Sequence, residues 1–121
     1  MKNLEALLVD DEEIIRVTLA HKLKKNGFKV TLADNADAAV ALIQERNFDL
    51  IITDLTMDIG SGLDVLKEAK KNDPSTPVIM LSGFSSSPQL EEAAECGASF
   101  IVLKPCSFGE LFEKIQASIK A

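Results

Sequence analysis

A short apolar run that ends in a carboxylate constrains the fold of this chain more than any other feature. Residues 50–53 are apolar or β-branched, polar residues flank them, and Asp54 closes the run. The run is too short for an ordinary helix and does not alternate, so it predicts a strand buried on both faces of a sheet. In open α/β sheets, ligands bind at the carboxyl edge of the strands. Asp54 is therefore either a functional carboxylate at that edge or simply the first residue of a loop.

Three further apolar runs predict strands, at residues 6–9, 78–81 and 100–103. Residues 28–32 alternate between apolar and polar, which predicts a half-buried or edge strand. Helical patterns separate the strands and follow the last one. They predict helices from Glu12 to about Asn26, after Asn35, from Ser61 to about Lys71, from Ser87 to near Gly97, and after Ser107. This alternation predicts an α/β fold, a flavodoxin-like, doubly wound (βα)5 three-layer sandwich with a parallel five-stranded sheet. Right-handed crossovers favour the strand order 2-1-3-4-5. The 121 residues suit a single domain, residues 1–121.

Helix starts carry residues whose side chains can accept hydrogen bonds from free backbone N–H groups. The predicted caps are Asn35, Ser61 with Asp64, Ser87 before Pro88, and Ser107 with Glu110.

Composition excludes several classes of function. The net charge of −6 argues against direct binding to nucleic acid, which needs clustered Lys and Arg. No apolar run approaches the length of a membrane span, so we expect a cytoplasmic protein with no membrane partner. The two cysteines, Cys96 and Cys106, are too few for a disulfide framework. His21, the only histidine, is expected on a solvated helix face.

The predicted topology brings five polar residues to one edge of the sheet, because all strands of a parallel sheet end on the same side. These residues are Asp10, Asp11, Asp54, Ser82 and Lys104. Each one alone has an ordinary explanation as a cap, a turn residue or a solvated charge. Together, the three carboxylates would repel one another unless a cation lay among them. A hard divalent ion such as Mg²⁺ suits oxygen ligands of this kind.

At these residues the chain resembles the receiver domain of two-component response regulators. The residues that carry the resemblance are Asp10-Asp11, Asp54, Gly62, Ser82-Gly83, Gly97-Ala98 and Lys104-Pro105. The resemblance implies that Asp54 accepts a phosphoryl group from the phosphohistidine of a sensor histidine kinase or a phosphotransfer protein. It implies Mg²⁺ (or Mn²⁺) held by Asp10, Asp11, Asp54 and the backbone carbonyl of Thr56. Lys104 would neutralise charge on the transferring group, and the Ser82 hydroxyl would hydrogen-bond the phosphoryl oxygen.

The resemblance further implies a signalling switch that catalyses its own phosphorylation and slow dephosphorylation, and not an enzyme with a separate substrate. Phosphorylation would shift the face formed by the fourth helix, the fifth strand and the fifth helix. That face would contact a downstream partner, an output domain or a second copy of the chain in a homodimer. The chain ends soon after the last helix, so we expect no C-terminal output domain within it. Both a free-standing receiver and the N-terminal piece of a longer regulator are compatible with this expectation.

The chain departs from the family pattern at several positions. Ile101 stands where receivers usually carry an aromatic switch residue, and Phe100 beside it is expected on the other face of the strand. Movement of the loop after the fourth strand is then the alternative route for the signal. Asp58 replaces a frequent proline, and we interpret it as an exposed loop carboxylate. The remaining positions expected to modulate switching or phosphoryl lifetime are Thr56, Gly83, Phe84 and Pro105.

Cys106 follows Pro105 where the family commonly has phenylalanine, and we expect a small buried thiol there in preference to a redox sensor.

Three other functions fit the pattern less well. Phosphohydrolases of the haloacid-dehalogenase type need a second aspartate two residues after the nucleophile, where this chain has Thr56. An interaction module that works without phosphorylation would not need the full set of polar residues at the sheet edge. A nucleotide-binding domain would require a glycine-rich phosphate loop, which the sequence lacks.

Overall fold

A computed structural model describes residues 4–83 and 87–120 of the chain. The strands are β1 (Leu4–Val9), β2 (Phe28–Ala33), β3 (Leu50–Asp54), β4 (Val78–Ser82) and β5 (Phe100–Leu103). The helices are α1 (Glu13–Lys25), α2 (Ala36–Glu45), α3 (Gly62–Asn72), α4 (Pro88–Glu95) and α5 (Phe108–Lys120).

The five strands form one parallel sheet in the order β2-β1-β3-β4-β5. Strands and helices alternate along the whole chain, which confirms the predicted flavodoxin-like α/β fold. Element bounds agree with the sequence prediction to within two residues. For example, β1 begins at Leu4 instead of Ala6.

Two apolar layers cover the sheet, one on each face. Buried residues of α2, α3 and α4 pack on one face, and those of α1 and α5 pack on the other. Neighbouring residues within a strand point to opposite layers, so that Ile51 joins the first layer and Ile52 the second. All five residues of β3 are buried, as expected for a central strand covered on both sides.

Side-chain caps fix the starts of four helices, as predicted. The hydrogen bonds run from Ala38 N to Asn35 Oδ1, from Leu63 N to Ser61 Oγ, from Leu90 N to Ser87 Oγ, and from Glu110 N to Ser107 Oγ. The Asp64 carboxylate accepts a hydrogen bond from the backbone N–H of Ser61, which completes the capping box of α3. The start of α1 differs, because Glu12 at its N-cap accepts no such bond and Asp10 Oδ1 instead accepts from Glu12 N at 2.8 Å.

Gly62 lets the first turn of α3 lie directly against the end of β3. Its backbone N–H donates to the carbonyl of Leu55 at 2.8 Å. A Cβ at this position would lie 2.4 Å from the carbonyl oxygen of Asp54 and 2.7 Å from the sulfur of Met80. Only glycine fits so close to the backbone of the central strand.

We therefore expect Gly62→Ala to lower the free energy of unfolding by about 2–3 kcal/mol, because backbone of β3 or α3 must move to admit the methyl group. Gly109→Ala is the matched control, since Gly109 also lies in the first turn of a helix. Its added Cβ would meet only Ser107 Oγ, at 3.8 Å. The control should be neutral or stabilising by up to about 1 kcal/mol. Urea unfolding followed by circular dichroism measures both, and equal stability of the two variants would contradict the packing argument.

Candidate functional site

Polar residues from four strands meet at the carboxyl edge of the sheet. Asp10 follows β1, Asp54 is the last residue of β3, Ser82 is the last residue of β4, and Lys104 follows β5. Asp10, Asp54 and Ser82 are buried, with exposed fractions of 0%, 4% and 1%. Each follows or ends an apolar strand, so the strands themselves hold these groups at the edge of the core.

Four carboxylates lie together at this edge. One carboxylate oxygen from each of Asp10, Asp11, Glu12 and Asp54 lies within 4.8 Å of the others. Glu12 was not among the predicted ligands, because its position before α1 made it look like the acidic first turn of a helix. The signal that could have identified it is its place directly after Asp10 and Asp11.

The donor set fits a hard divalent cation. Asp10 Oδ1 accepts the N–H of Glu12, whereas Asp10 Oδ2 is fully buried and has no hydrogen-bond partner in the described part of the chain. A buried carboxylate oxygen without a donor is costly, and neighbouring carboxylates add repulsion. A cation would remove both costs. Carboxylate oxygens are the ligands preferred by Mg²⁺ and Mn²⁺.

Lys104 is the basic partner of Asp54. Its Nζ donates to Asp54 Oδ2 at 2.9 Å, and the two side chains are 25% and 5% exposed. Burial raises the pKa of Asp54, an effect that the hydrogen bond and charge of Lys104 oppose and that the charges of Asp10 and Asp11 reinforce. Burial works against protonation of Lys104, but the hydrogen bond and charge of Asp54, together with the charges of Asp10 and Glu12, raise the pKa of the lysine overall. The lysine thus stays charged against the central carboxylate.

Two contacts around the acidic cluster were missed by the sequence analysis. The guanidinium of Arg16 donates to the carbonyl oxygen of Asp10 at 2.7 Å, which ties α1 to the end of β1. The backbone N–H of Asp58 donates to Asp11 Oδ2 at 3.1 Å. The first contact depends on a flexible side chain and the second on a loop conformation. Neither leaves a residue pattern in the sequence.

The structure describes three of the positions in the loops that follow β3 and β4. Asp58 is an exposed loop residue, in agreement with its interpretation from sequence. The Thr56 side chain is exposed, and its backbone pairs with Ser61 in an isolated bridge. A Cβ on Gly83 would meet no described atom within 4 Å, so the surroundings described do not require glycine there. Phe84 lies outside the described residues.

Ile101 and Phe100 pack on opposite faces of the sheet, as predicted. Ile101 is half-buried in the layer of α2, α3 and α4, and Phe100 contacts the layer of α1 and α5. Pro105 is exposed and follows a cis peptide bond after Lys104. The roles expected for these residues stay predictions.

Cys106 is half-buried, which is less than the full burial predicted, because it lines an open groove between α1 and the start of α5. The groove has a volume of about 340 Å³, and its lining is mainly apolar. Burial, with the nearby charge of Glu110, raises the pKa of the thiol despite the opposing charge of Lys104. A thiol with a raised pKa is a poor nucleophile, which agrees with the preference for a packing role.

The histidine, the cysteines and the helix lengths match what composition predicts. His21 is exposed on α1, and both cysteines are free. Within residues 4–83 and 87–120, no helix is long and apolar enough to cross a membrane.

Comparison with known proteins agrees with this geometry. A sequence model of the response regulator receiver domain matches residues 6–116. The uncharacterised transcriptional regulatory protein YkoG of Bacillus subtilis is 33% identical over 114 residues, which cover 94% of this chain and 50% of that protein. The transcriptional regulatory protein ZraR of Klebsiella oxytoca is 35% identical over 106 residues, covering 87% of this chain and 24% of that protein. The chain thus spans half or less of the length of these curated relatives.

Solved structures give the same result. A response regulator receiver domain protein (CheY-like) from Methanospirillum hungatei superposes with a TM-score of 0.93 at 27% identity, covering 98% of this chain and 94% of that one. The receiver domain of the Francisella response regulator 1452 superposes with a TM-score of 0.87 at 31% identity, covering 98% of each chain. The sheet order, the acidic cluster and the match along residues 6–116 lead to one conclusion. The chain belongs to the response regulator receiver domain family, a signalling module of two-component systems.

Proposed function

We propose that residues 1–121 form a single receiver domain that acts in the cytoplasm as a phosphorylation-activated switch. Asp54 accepts a phosphoryl group from the phosphohistidine of a sensor histidine kinase or a phosphotransfer protein. The observation that carries the proposal is the setting of Asp54, which ends a fully buried strand, pairs with Lys104 at 2.9 Å and lies beside Asp10 and Asp11. These are the groups that phosphoryl transfer to a carboxylate requires.

The transfer itself is a displacement at phosphorus. A carboxylate oxygen of Asp54 forms a bond to phosphorus while the bond from phosphorus to the donor imidazole breaks, and the product is an acyl phosphate. Asp10, Asp11 and Asp54, with the carbonyl of Thr56, would hold Mg²⁺ or Mn²⁺, which neutralises charge on phosphoryl oxygens. Lys104 places a second positive charge at the carboxylate, and the Ser82 hydroxyl donates to the phosphoryl group after transfer.

The phosphoryl group adds negative charge where Lys104 and Ser82 already lie, and both are drawn toward it. The response reaches Gly83 after β4 and Pro105 after β5, and it shifts the face of α4, β5 and α5. Leu103 on the edge strand β5 is 47% exposed, so this strand is accessible to a partner. That partner is a downstream protein, an output domain of a longer regulator, or a second copy of the chain.

The assignment of Asp54 predicts the result of a direct phosphorylation assay. Incubation with a small acyl phosphate donor and Mg²⁺ should add the mass of one phosphoryl group to the wild-type protein and none to Asp54→Ala. Asp37→Ala, which removes an exposed carboxylate from α2, should gain the same mass as the wild type. Intact-mass spectrometry measures all three. A gain that persists in Asp54→Ala would refute the assignment, and no gain in the wild type would favour the phosphorylation-independent interaction module.

Lys104→Met should change metal binding and transfer in opposite directions. Loss of the positive charge beside Asp54 leaves the carboxylates less neutralised, so affinity for Mg²⁺ should rise several-fold. Phosphorylation should slow by about 100-fold, as on removal of one charged donor from a reacting centre. Lys71→Met, which removes an exposed charge from α3, is the control and should leave both quantities unchanged. Calorimetric titration measures the Mg²⁺ affinity of both variants, and a phosphorylation time course measures their rates. Weaker metal binding in Lys104→Met would contradict the proposed role of Lys104.

The residues at the two positions expected to influence hydrolysis predict a long-lived phosphoryl group. Neither Thr56 nor Phe84 carries an amide or carboxylate that could orient an attacking water. We expect Thr56→Gln, which introduces an amide, to shorten the lifetime in Mg²⁺, while Thr56→Val leaves it unchanged. Loss of phosphate from purified phosphorylated protein measures the lifetime. Decay of the wild type within a few seconds would show that another group already orients water.

A further inference from the structure

A backbone N–H of the loop between β3 and α3 holds one of the acidic side chains. The N–H of Asp58 donates to Asp11 Oδ2 at 3.1 Å, whereas the carboxylate of Asp58 belongs to an exposed residue. We propose that this N–H positions Asp11 for metal binding, and that α2 sets its place by anchoring the loop. The inference rests on the proposed function, in which Asp11 is a metal ligand.

Asp11 needs such a support more than its neighbours do. Asp10 is fully buried and Asp54 is held by Lys104, whereas Asp11 is only half-buried. The other carboxylates of the cluster lie close enough to repel it toward solvent. A backbone donor holds the carboxylate in place before a cation arrives, so less side-chain freedom is lost on binding.

The loop that carries this N–H is fixed at several points. Met57 is buried, and the backbones of Thr56 and Ser61 pair across the loop. At the far side, the N–H of Ala36 at the start of α2 donates to the carbonyl of Ile59 at 3.2 Å. Asp58 therefore lies between Met57, which is buried, and Ile59, whose carbonyl is bonded to α2.

Gly60 makes the contact with α2 possible. Its φ of +75° lies in the left-handed region, and a Cβ there would lie 2.5 Å from the Cβ of Ala36. Ala36 belongs to the buried core, whereas Gly60 is exposed. A side chain at Gly60 would therefore displace the loop more readily than the helix, and with it the N–H that holds Asp11.

Two substitutions at one position separate the backbone N–H from the side chain. Asp58→Pro removes both the N–H and the carboxylate, whereas Asp58→Ala removes the carboxylate alone. We expect Asp58→Pro to bind Mn²⁺ about tenfold more weakly than Asp58→Ala, the scale typical of a lost contact to a metal ligand. The signal of free Mn²⁺ in electron paramagnetic resonance measures the affinity, and competition with Mg²⁺ gives the affinity for that ion. Circular dichroism checks that both variants are folded.

Each outcome of this comparison has a distinct meaning. Equal affinities of folded Asp58→Pro and Asp58→Ala overturn the role of the N–H, while the proposed function stands if the wild type binds Mn²⁺ and is phosphorylated on Asp54. Failure of the wild type to bind Mn²⁺ overturns the metal site and this inference with it.

Gly60→Ala tests the anchor independently of residue 58 and carries the test if Asp58→Pro does not fold. It should weaken Mn²⁺ binding several-fold through displacement of the loop. Gly27→Ala is the matched control, because Gly27 also has a positive φ, of +92°, but an added Cβ there meets nothing within 4 Å. The control should bind Mn²⁺ as the wild type does.

Adding Ala36→Gly to Gly60→Ala removes the colliding methyl group, and the nearest remaining atom of residue 36 is Cα at 3.7 Å. The double variant should regain most of the affinity that Gly60→Ala loses. Folded Gly60→Ala with wild-type affinity, or a double variant that binds no better than Gly60→Ala, would overturn the role assigned to the anchor.

Discussion

Repulsion among carboxylates at one edge of the sheet is the constraint on which the site depends. Asp10 and Asp54 end up buried because each ends or follows a strand of the apolar core, and Asp11 and Glu12 follow in the turn into α1. Folding of the apolar sheet therefore holds these carboxylates close together, although their mutual repulsion is unfavourable. Such a site gains stability from added positive charge, which is the physical basis for the proposed binding of a divalent cation among these carboxylates.

Lys104 extends this constraint across the sheet. It follows the edge strand β5, yet its ammonium group reaches Asp54 on β3, so the ion pair spans the intervening strand β4. The backbone N–H of Lys104 also donates to the carbonyl of Ser82 at the end of β4, at 2.7 Å. Three neighbouring strands are thus joined at their carboxyl ends through one residue. Under the proposed function, a change of charge at Asp54 would act on the end of β5 directly through this lysine.

Sequence reasoning predicted the fold well because the signals are local and agree with one another. Three kinds of signal specify the same topology. They are the apolar runs, the alternation of strands with helices, and the helix caps at Asn35, Ser61 and Ser87. The topology alone brings Asp10, Asp54 and Lys104 to one edge. The contacts of Arg16 and Asp58 could not be predicted in this way, because each involves a backbone group. Arg16 donates to a backbone carbonyl, and the backbone N–H of Asp58 is itself a donor. Which carbonyl or N–H a loop presents depends on the loop conformation. Many different sequences can adopt the same conformation, so no residue pattern marks the contact.

The position of Ile101 bears on how a signal leaves Asp54. An isoleucine has no ring to move between buried and exposed positions, and Phe100 packs on the opposite face of the sheet. Under the proposed function, the backbone bond between Ser82 and Lys104 is then a described connection through which the signal would leave the site. The helix α4 is suited to respond, because it has eight residues and only Leu90 and Ala93 are buried among them. Its described ion pair to α3, between Lys67 and Glu92, is solvent-exposed and so restrains it weakly. A short helix with a small buried face can change position without loss of the core, so under the proposed function the sheet and the acidic site would stay intact with and without the phosphoryl group.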